Sequence, residues 1–152
     1  MFKLISTFFY IGFFPIASGT FSSIVFAIIS YFFRNNLIIL SMLNVFIFIL
    51  GIYSVKQYTL KIGIPDPKEV VIDELSGMLI ATFLSKLMFK TLNSWDIFIL
   101  FLFFRLFDIL KPFPVSYFDK NLKNAYGVML DDVMAGMMSF LVFVVIKKYF
   151  FS

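Results

Sequence analysis

The stretch from Ile97 to Pro114, IFILFLFFRLFDILKPFP, decides how the chain is read. An unbroken apolar run is followed by Arg105, Asp108 and Lys111, and then by Pro112 and Pro114. The three charges recur every third residue, so on a helix they run along one side of its end. Proline lacks an amide hydrogen and disfavours helix in the residue before it, so the helix stops there. A charge well inside lipid costs about 2.5–3.5 kcal/mol. Charges in this position therefore snorkel to headgroups, pair with one another, or meet a polar ligand.

The remainder of the chain is equally apolar. Its 152 residues are 61% hydrophobic, 21% aromatic and only 14% charged, with 24 Phe. A soluble domain of this size cannot bury so much apolar surface, so lipid is the expected solvent and residues 1–152 the expected single domain. The net charge of +4 comes without any run of Lys or Arg, which argues against a nucleic-acid partner. There is no Cys and no His. Disulfides, His nucleophiles, Ser-His-Asp triads and HExxH zinc sites are thereby excluded. The N-terminal MFKLISTFFYIGFFPIASGT has the look of a signal peptide but no clear small-x-small cleavage site, so it is expected to be retained.

Apolar segments fall at 2–14, 20–33, 37–55, 75–89, 97–110 and 133–146. Inside lipid the backbone must satisfy its own hydrogen bonds, so these are expected to be helices. The expected fold is an all-α polytopic membrane bundle of about five to six apolar helices. Several segments are short against the ~20 residues a full crossing needs. The first is expected to lie in the interface, or to dip in and return at Gly12 and Pro15.

The gaps alternate. The first (15–20), third (56–74) and fifth (111–132) are rich in Gly, Pro and charged residues, whereas 34–36 and 90–96 are short. If the five later segments each cross the bilayer, the three rich gaps share one side. Eight of the nine carboxylates then lie on that side: Asp66, Glu69, Asp73, Glu74, Asp108, Asp119, Asp131 and Asp132. Only Asp96 lies opposite. Seven basic residues against five favour the rich side as the cytoplasmic one.

On a helix entered after Pro67, Glu69 and Asp73 would share a face. Asp73 and Glu74 would sit at the mouth of the next apolar helix, and Asp131 and Asp132 near the start of the last. Clustered carboxylates repel one another unless a cation holds them, and hard oxygen donors without His or Cys suit Mg²⁺, Mn²⁺ or Ca²⁺. Arg105 and a Lys suit phosphate oxygens. Together they make the parts of a phosphoryl-transfer site. SGTFSS (18–23), opening an apolar helix, offers further donors to an anion. Set against this, Asp119 and Lys120 read as a solvated loop, Asp131 or Asp132 alone as a helix cap, and most of the remaining Lys as snorkelling charges.

Three blocks, GFFPIASGTFSSI, DPKEVVIDELSGMLI and FRLFDILKPFPVSYFDKNLKNAYGVMLDDVMAG, resemble the phosphatidylglycerophosphatase A family in order over nearly the whole chain. The resemblance implies a bacterial inner-membrane, Mg²⁺-requiring phosphatase that converts phosphatidylglycerophosphate, a phospholipid, to phosphatidylglycerol and inorganic phosphate. The matching polar positions are Thr20, Asp66, Glu69, Asp73, Glu74, Arg105, Asp108, Lys111, Asp131 and Asp132. Asp73, Glu74, Asp131 and Asp132 are the first choice for holding the ion. Asp66 and Glu69 are further ligands, with Asp108 a further ligand or a supporting group. Thr20, Arg105 and Lys111 are expected on the phosphate. Water is the expected nucleophile, since the DxDx[TV] pattern of aspartyl phosphatases is absent. A CDP-alcohol phosphotransferase is the enzymatic alternative, but its motif spacing is not found. A small cation transporter or structural membrane subunit would place carboxylates at mid-membrane rather than at helix mouths.

Overall fold

The computed structural model describes residues 1–15 and 18–150. They form seven α-helices and one short 3-10 turn, with no strand among the described residues. In order these are α1 (Phe2–Ser6), the turn Ile11–Phe13, α2 (Ser18–Phe33), α3 (Leu37–Ile62), α4 (Ile72–Met88), α5 (Ser94–Leu110), α6 (Val115–Asn121) and α7 (Ala125–Phe150).

Local chemistry sets the ends. The Asn36 side chain accepts from the Ile39 amide at 3.0 Å and starts α3, and Gly63 ends it in the left-handed conformation, φ 73°. Asn93 and Asp96 form a capping box on α5. The Asn124 side chain accepts from the amides of Tyr126 and Gly127 and opens α7. That cap starts α7 two turns before the apolar run at 133. Asp131 and Asp132 therefore lie inside the helix rather than at its cap.

Two helices, Leu37–Ile62 and Ala125–Tyr149, are long and apolar enough to cross a membrane. Helices α2, α4 and α5 have 16, 17 and 17 residues. At ~1.5 Å per residue they are roughly 25 Å long, somewhat short of a ~30 Å hydrocarbon core. The outward faces are apolar: on α3, Ile38, Met42, Val45, Phe46 and Ile49 are exposed while Leu40, Ile47 and Val55 are buried. A helix apolar on every side suits hydrocarbon outside and protein inside.

The first segment does not form a spanning helix. After α1, Phe8, Phe9 and Tyr10 take φ of 41°, 56° and 66°, and this left-handed run turns the chain back. The end of α1, just before that turn, is pinned to the α3–α4 connection, where the Val71 amide donates to the Ser6 carbonyl at 3.0 Å. The same bond, with a turn closed from the Val70 amide to the Pro67 carbonyl, delays α4 until Ile72. Glu69 is therefore outside the helix and shares no helical face with Asp73.

Helix α4 is the centre, packed against α7, α3 and α2. Where it crosses α7, a Cβ on Gly136 would lie 2.2 Å from the Gly77 carbonyl oxygen. One on Gly77 would lie 2.4 Å from the Phe104 ring. Backbone approach at this crossing needs both glycines. Phe26, Leu75, Met78, Phe104 and Met129 fill the core around it.

Helices α2, α4 and α7 begin, and α3 and α5 end, at one end of the bundle. The opposite end is held by Arg34 donating to the Leu92 carbonyl at 2.7 Å and by the Lys147–Asp96 pair at 2.5 Å.

Candidate functional site

The polar end is built from helix termini. Glu74, in the first turn of α4, is 7% exposed. Its carboxylate accepts from Ser22 and, at 3.0 Å, from Ser23, both on the first turns of α2. Its other oxygen is 3.4 Å from Arg105 near the end of α5. Arg105 also pairs with Asp108 at 2.5 Å and donates to Ser23 Oγ at 3.3 Å. Gly19 lets α2 approach this group, since a Cβ there would lie 2.7 Å from Glu74 Oε1 and 3.2 Å from Arg105 Nη2. The Arg105 Nε is buried without a hydrogen-bond partner among the described residues.

Lys111 anchors a second group. It ends α5 in the left-handed conformation, φ 44°, which costs a non-glycine residue energy. Its ammonium pairs with Asp119 and, at 2.8 Å, with Asp131. Asp119 therefore belongs to the site and not to a solvated loop, because α6 turns it back toward α5. Burial of the Lys111 ammonium alone would lower its pKa, but hydrogen bonds and charge from Asp119 and Asp131 outweigh this and raise it. Asp66 is exposed, but the protein crowding one side of its carboxyl raises its pKa. The Lys111 charge opposes that rise, and those of Asp119 and Asp108 add to it.

The remaining carboxylates lie close by. Asp73 is half-buried and accepts from the Glu74 amide at 3.0 Å. It stands within electrostatic reach of Glu74, Asp131, Asp66 and Asp108. Asp132 is 3% exposed, and its carboxylate has no hydrogen bond or ion pair among the described residues. The charges of Asp108, Asp73, Asp131 and Glu74 all act on it. Glu69 accepts from the Tyr58 hydroxyl at 2.8 Å and links the end of α3 to the α3–α4 loop. Thr20 is half-buried on α2, and its side chain makes no hydrogen bond among the described residues.

All the expected site residues thus gather at one end. Ser22 and Ser23, expected only as donors to an anion, donate to Glu74 instead, and Asp119, read as a solvated loop, joins the group through Lys111. Among the described residues no three carboxylates stand close enough together to hold an ion as they are placed. The donor chemistry nonetheless fits a hard divalent cation. Every donor is oxygen, and Asp132, 3% exposed, is crowded by the like charges of Asp108, Asp73, Asp131 and Glu74, a crowding that a cation relieves.

The model of the phosphatidylglycerophosphatase A family matches residues 4–147. The phosphatidylglycerophosphatase A of Haemophilus influenzae is 37% identical over 123 residues, covering 75% of this chain and 72% of that one. That of Escherichia coli is 35% identical over 91 residues, covering 59% of this chain and half of its own length. A Bacteroides thetaiotaomicron protein, provisionally named a phosphatidylinositol-3-phosphatase, is 35% identical over 150 residues, 95% of this chain and 92% of its own. No solved structure matches the chain.

Proposed function

The chain belongs to the phosphatidylglycerophosphatase A family, and from that premise we propose that it removes the terminal phosphate of phosphatidylglycerophosphate, giving phosphatidylglycerol and inorganic phosphate for phospholipid synthesis. The observation that carries this is the sharing of two cations, Arg105 and Lys111, among carboxylates of α4, α5, α6 and α7 at one end of the bundle.

On this proposal α2, α3, α4, α5 and α7 all cross a bacterial inner membrane, with the polar end in the cytoplasm. The acyl chains stay in the bilayer and the phosphate enters the polar end. Arg105 and Lys111 bind its oxygens, exchanging part of their carboxylate contacts for phosphate. Thr20 adds a hydroxyl donor. Glu74, fixed by Ser22 and Ser23, holds the guanidinium in place. Asp73, Glu74, Asp131 and Asp132 would hold Mg²⁺, with Asp66 and Glu69 nearby. When bound, the ion supplies Lewis acidity that offsets charge on the phosphoryl oxygens. Water adds to phosphorus, the phosphorus–oxygen bond to glycerol breaks, and the glycerol oxygen takes up the proton that the water releases. A carboxylate of the site can relay that proton from the water to the glycerol oxygen.

The Bacteroides relative favours a second reading, in which the phosphate sits on an inositol headgroup. Release of inorganic phosphate by the purified chain, from a panel of phosphatidylglycerophosphate, phosphatidylinositol 3-phosphate and phosphatidic acid, tests both. Phosphatidylglycerophosphate should be hydrolysed fastest, and excess EDTA should abolish the reaction until Mg²⁺ is restored. Full activity in EDTA would refute the metal, and preference for the inositol lipid would move the assignment to the second reading.

A further inference from the structure

Outside the polar end, one feature leads toward it. An apolar groove of about 590 Å³ runs down the outer surface between α2 and α5. Ala27, Ile28 and Tyr31 line one wall, and Ile97, Phe98 and Phe101 the other. Ile24 stands at its upper edge and Phe32 at its lower. The α2 wall lies on the helical row that leads up to Thr20, since positions 20, 24, 27, 28 and 31 recur at three or four residues. The α5 wall lies on the row 94, 98, 101, 105, which ends at Arg105. Both walls therefore rise to groups at the polar end.

The groove has a floor and a stop. Ile97 is buried, whereas Ile28 and Phe98 are about half exposed, so the wall rims stand proud of the base. At the far end the Arg34 guanidinium lies 3.7 Å from the centre of the Tyr31 ring and donates to the Leu92 carbonyl, closing the space between the helices. From Ile24 to Phe32 the groove runs about 12 Å at the usual helical rise.

We propose that this groove seats one acyl chain of the phospholipid whose phosphate meets Arg105. The inference rests on the phosphatase reading and adds to it the surface that takes the hydrophobic half of the substrate. Bulk lipid would also wet an apolar groove. What singles out the substrate's chain is the cation one helical turn beyond Phe101: an anionic headgroup bound to Arg105 delivers its chain to the top of these two walls. Binding there contributes to substrate affinity through apolar contact, in proportion to chain length.

The chain carries its own reporter. Trp95 is the single Trp, is largely exposed, and lies 5.9 Å ring to ring from Phe98 in the groove wall. The test uses the full chain in phosphatidylcholine vesicles doped with a small fraction of phosphatidylglycerophosphate dibrominated at mid-chain. Quenching of Trp95 should be several times that produced by the same fraction of brominated phosphatidylcholine. Ala27→Phe, which fills the groove, should remove the difference, with Ala27→Leu as the milder variant if the first does not fold. In the kinetic arm, either variant should raise KM for the long-chain substrate, Ala27→Phe by about tenfold, the loss expected for roughly two buried methylenes. Hydrolysis of the dihexanoyl substrate should be unchanged. Equal quenching by the two brominated lipids, or equal loss on long and short chains, overturns the groove assignment. Selective quenching without phosphate release from any lipid supports the groove and overturns the reaction instead.

Discussion

Glu74 shows how single residues are held at this end. A carboxylate 7% exposed in an apolar bundle needs donors around it, and Ser22, Ser23 and Arg105 supply them. The charged members of this group stand out in the sequence because charge is rare in so apolar a chain. The two serines do not. A Ser within an apolar helix usually bonds its own backbone, and the carbonyls of Ser18 and Gly19, at 2.8 Å and 2.7 Å, compete with Glu74 for the single hydroxyl proton of Ser22 and of Ser23. Their second acceptor, some fifty residues away in sequence, leaves no local trace. Asp119 was hidden for a similar reason, because nothing in KPFPVSYFDKN marks α6 as folding back onto Lys111. Replacing Ser22 and Ser23 together by Ala should destabilise the protein, at about 1.5–3 kcal/mol for each hydrogen bond to a charged group. A thermal melt in detergent reads this as a lower midpoint, and an unchanged midpoint would show that Glu74 does not depend on them.

At the scale of elements, five of the six apolar segments became helices close to where the apolar runs lie, but the ends moved. Helix α7 starts at Ala125 because the Asn124 side chain caps two amides, and α4 waits until Ile72 because Val71 is already bonded to Ser6. Such boundaries depend on capping and tertiary partners, to which apolar periodicity is blind. The α4–α7 crossing depends on glycine in a way that can be tested. Gly136→Leu places a side chain against the Gly77 carbonyl, which cannot move aside without displacing a helix. Overpacking of this kind costs roughly 1–3 kcal/mol or more, so the variant should melt well below the parent or fail to accumulate. Gly63→Ala meets open space and only the φ of 73° opposes it, so it should cost about 1 kcal/mol. Equal midpoints for these two variants would contradict close backbone packing at the crossing.

For the whole molecule, the gathering of the polar residues was legible from parity: rich gaps separated by pairs of antiparallel apolar segments fall at one end. The geometry agrees, with eight of the nine carboxylates at one end and Asp96 at the other, paired with Lys147. What parity does not give is the fine arrangement. Arg105 and Lys111 divide the carboxylates into two groups, and Asp132 pairs with neither cation and stands nearly buried among the charges of Asp108, Asp73, Asp131 and Glu74. The central claim is that this arrangement is maintained for a divalent ion and a lipid phosphate, at a cost in electrostatic repulsion that folding alone does not explain. Asp132→Asn tests it most directly. Asn keeps the shape and removes a buried charge, so the thermal midpoint should hold or rise. Phosphate release from phosphatidylglycerophosphate in saturating Mg²⁺ should nonetheless fall by at least ~10²-fold. A folded Asp132→Asn protein that works at close to the parental rate would contradict the account.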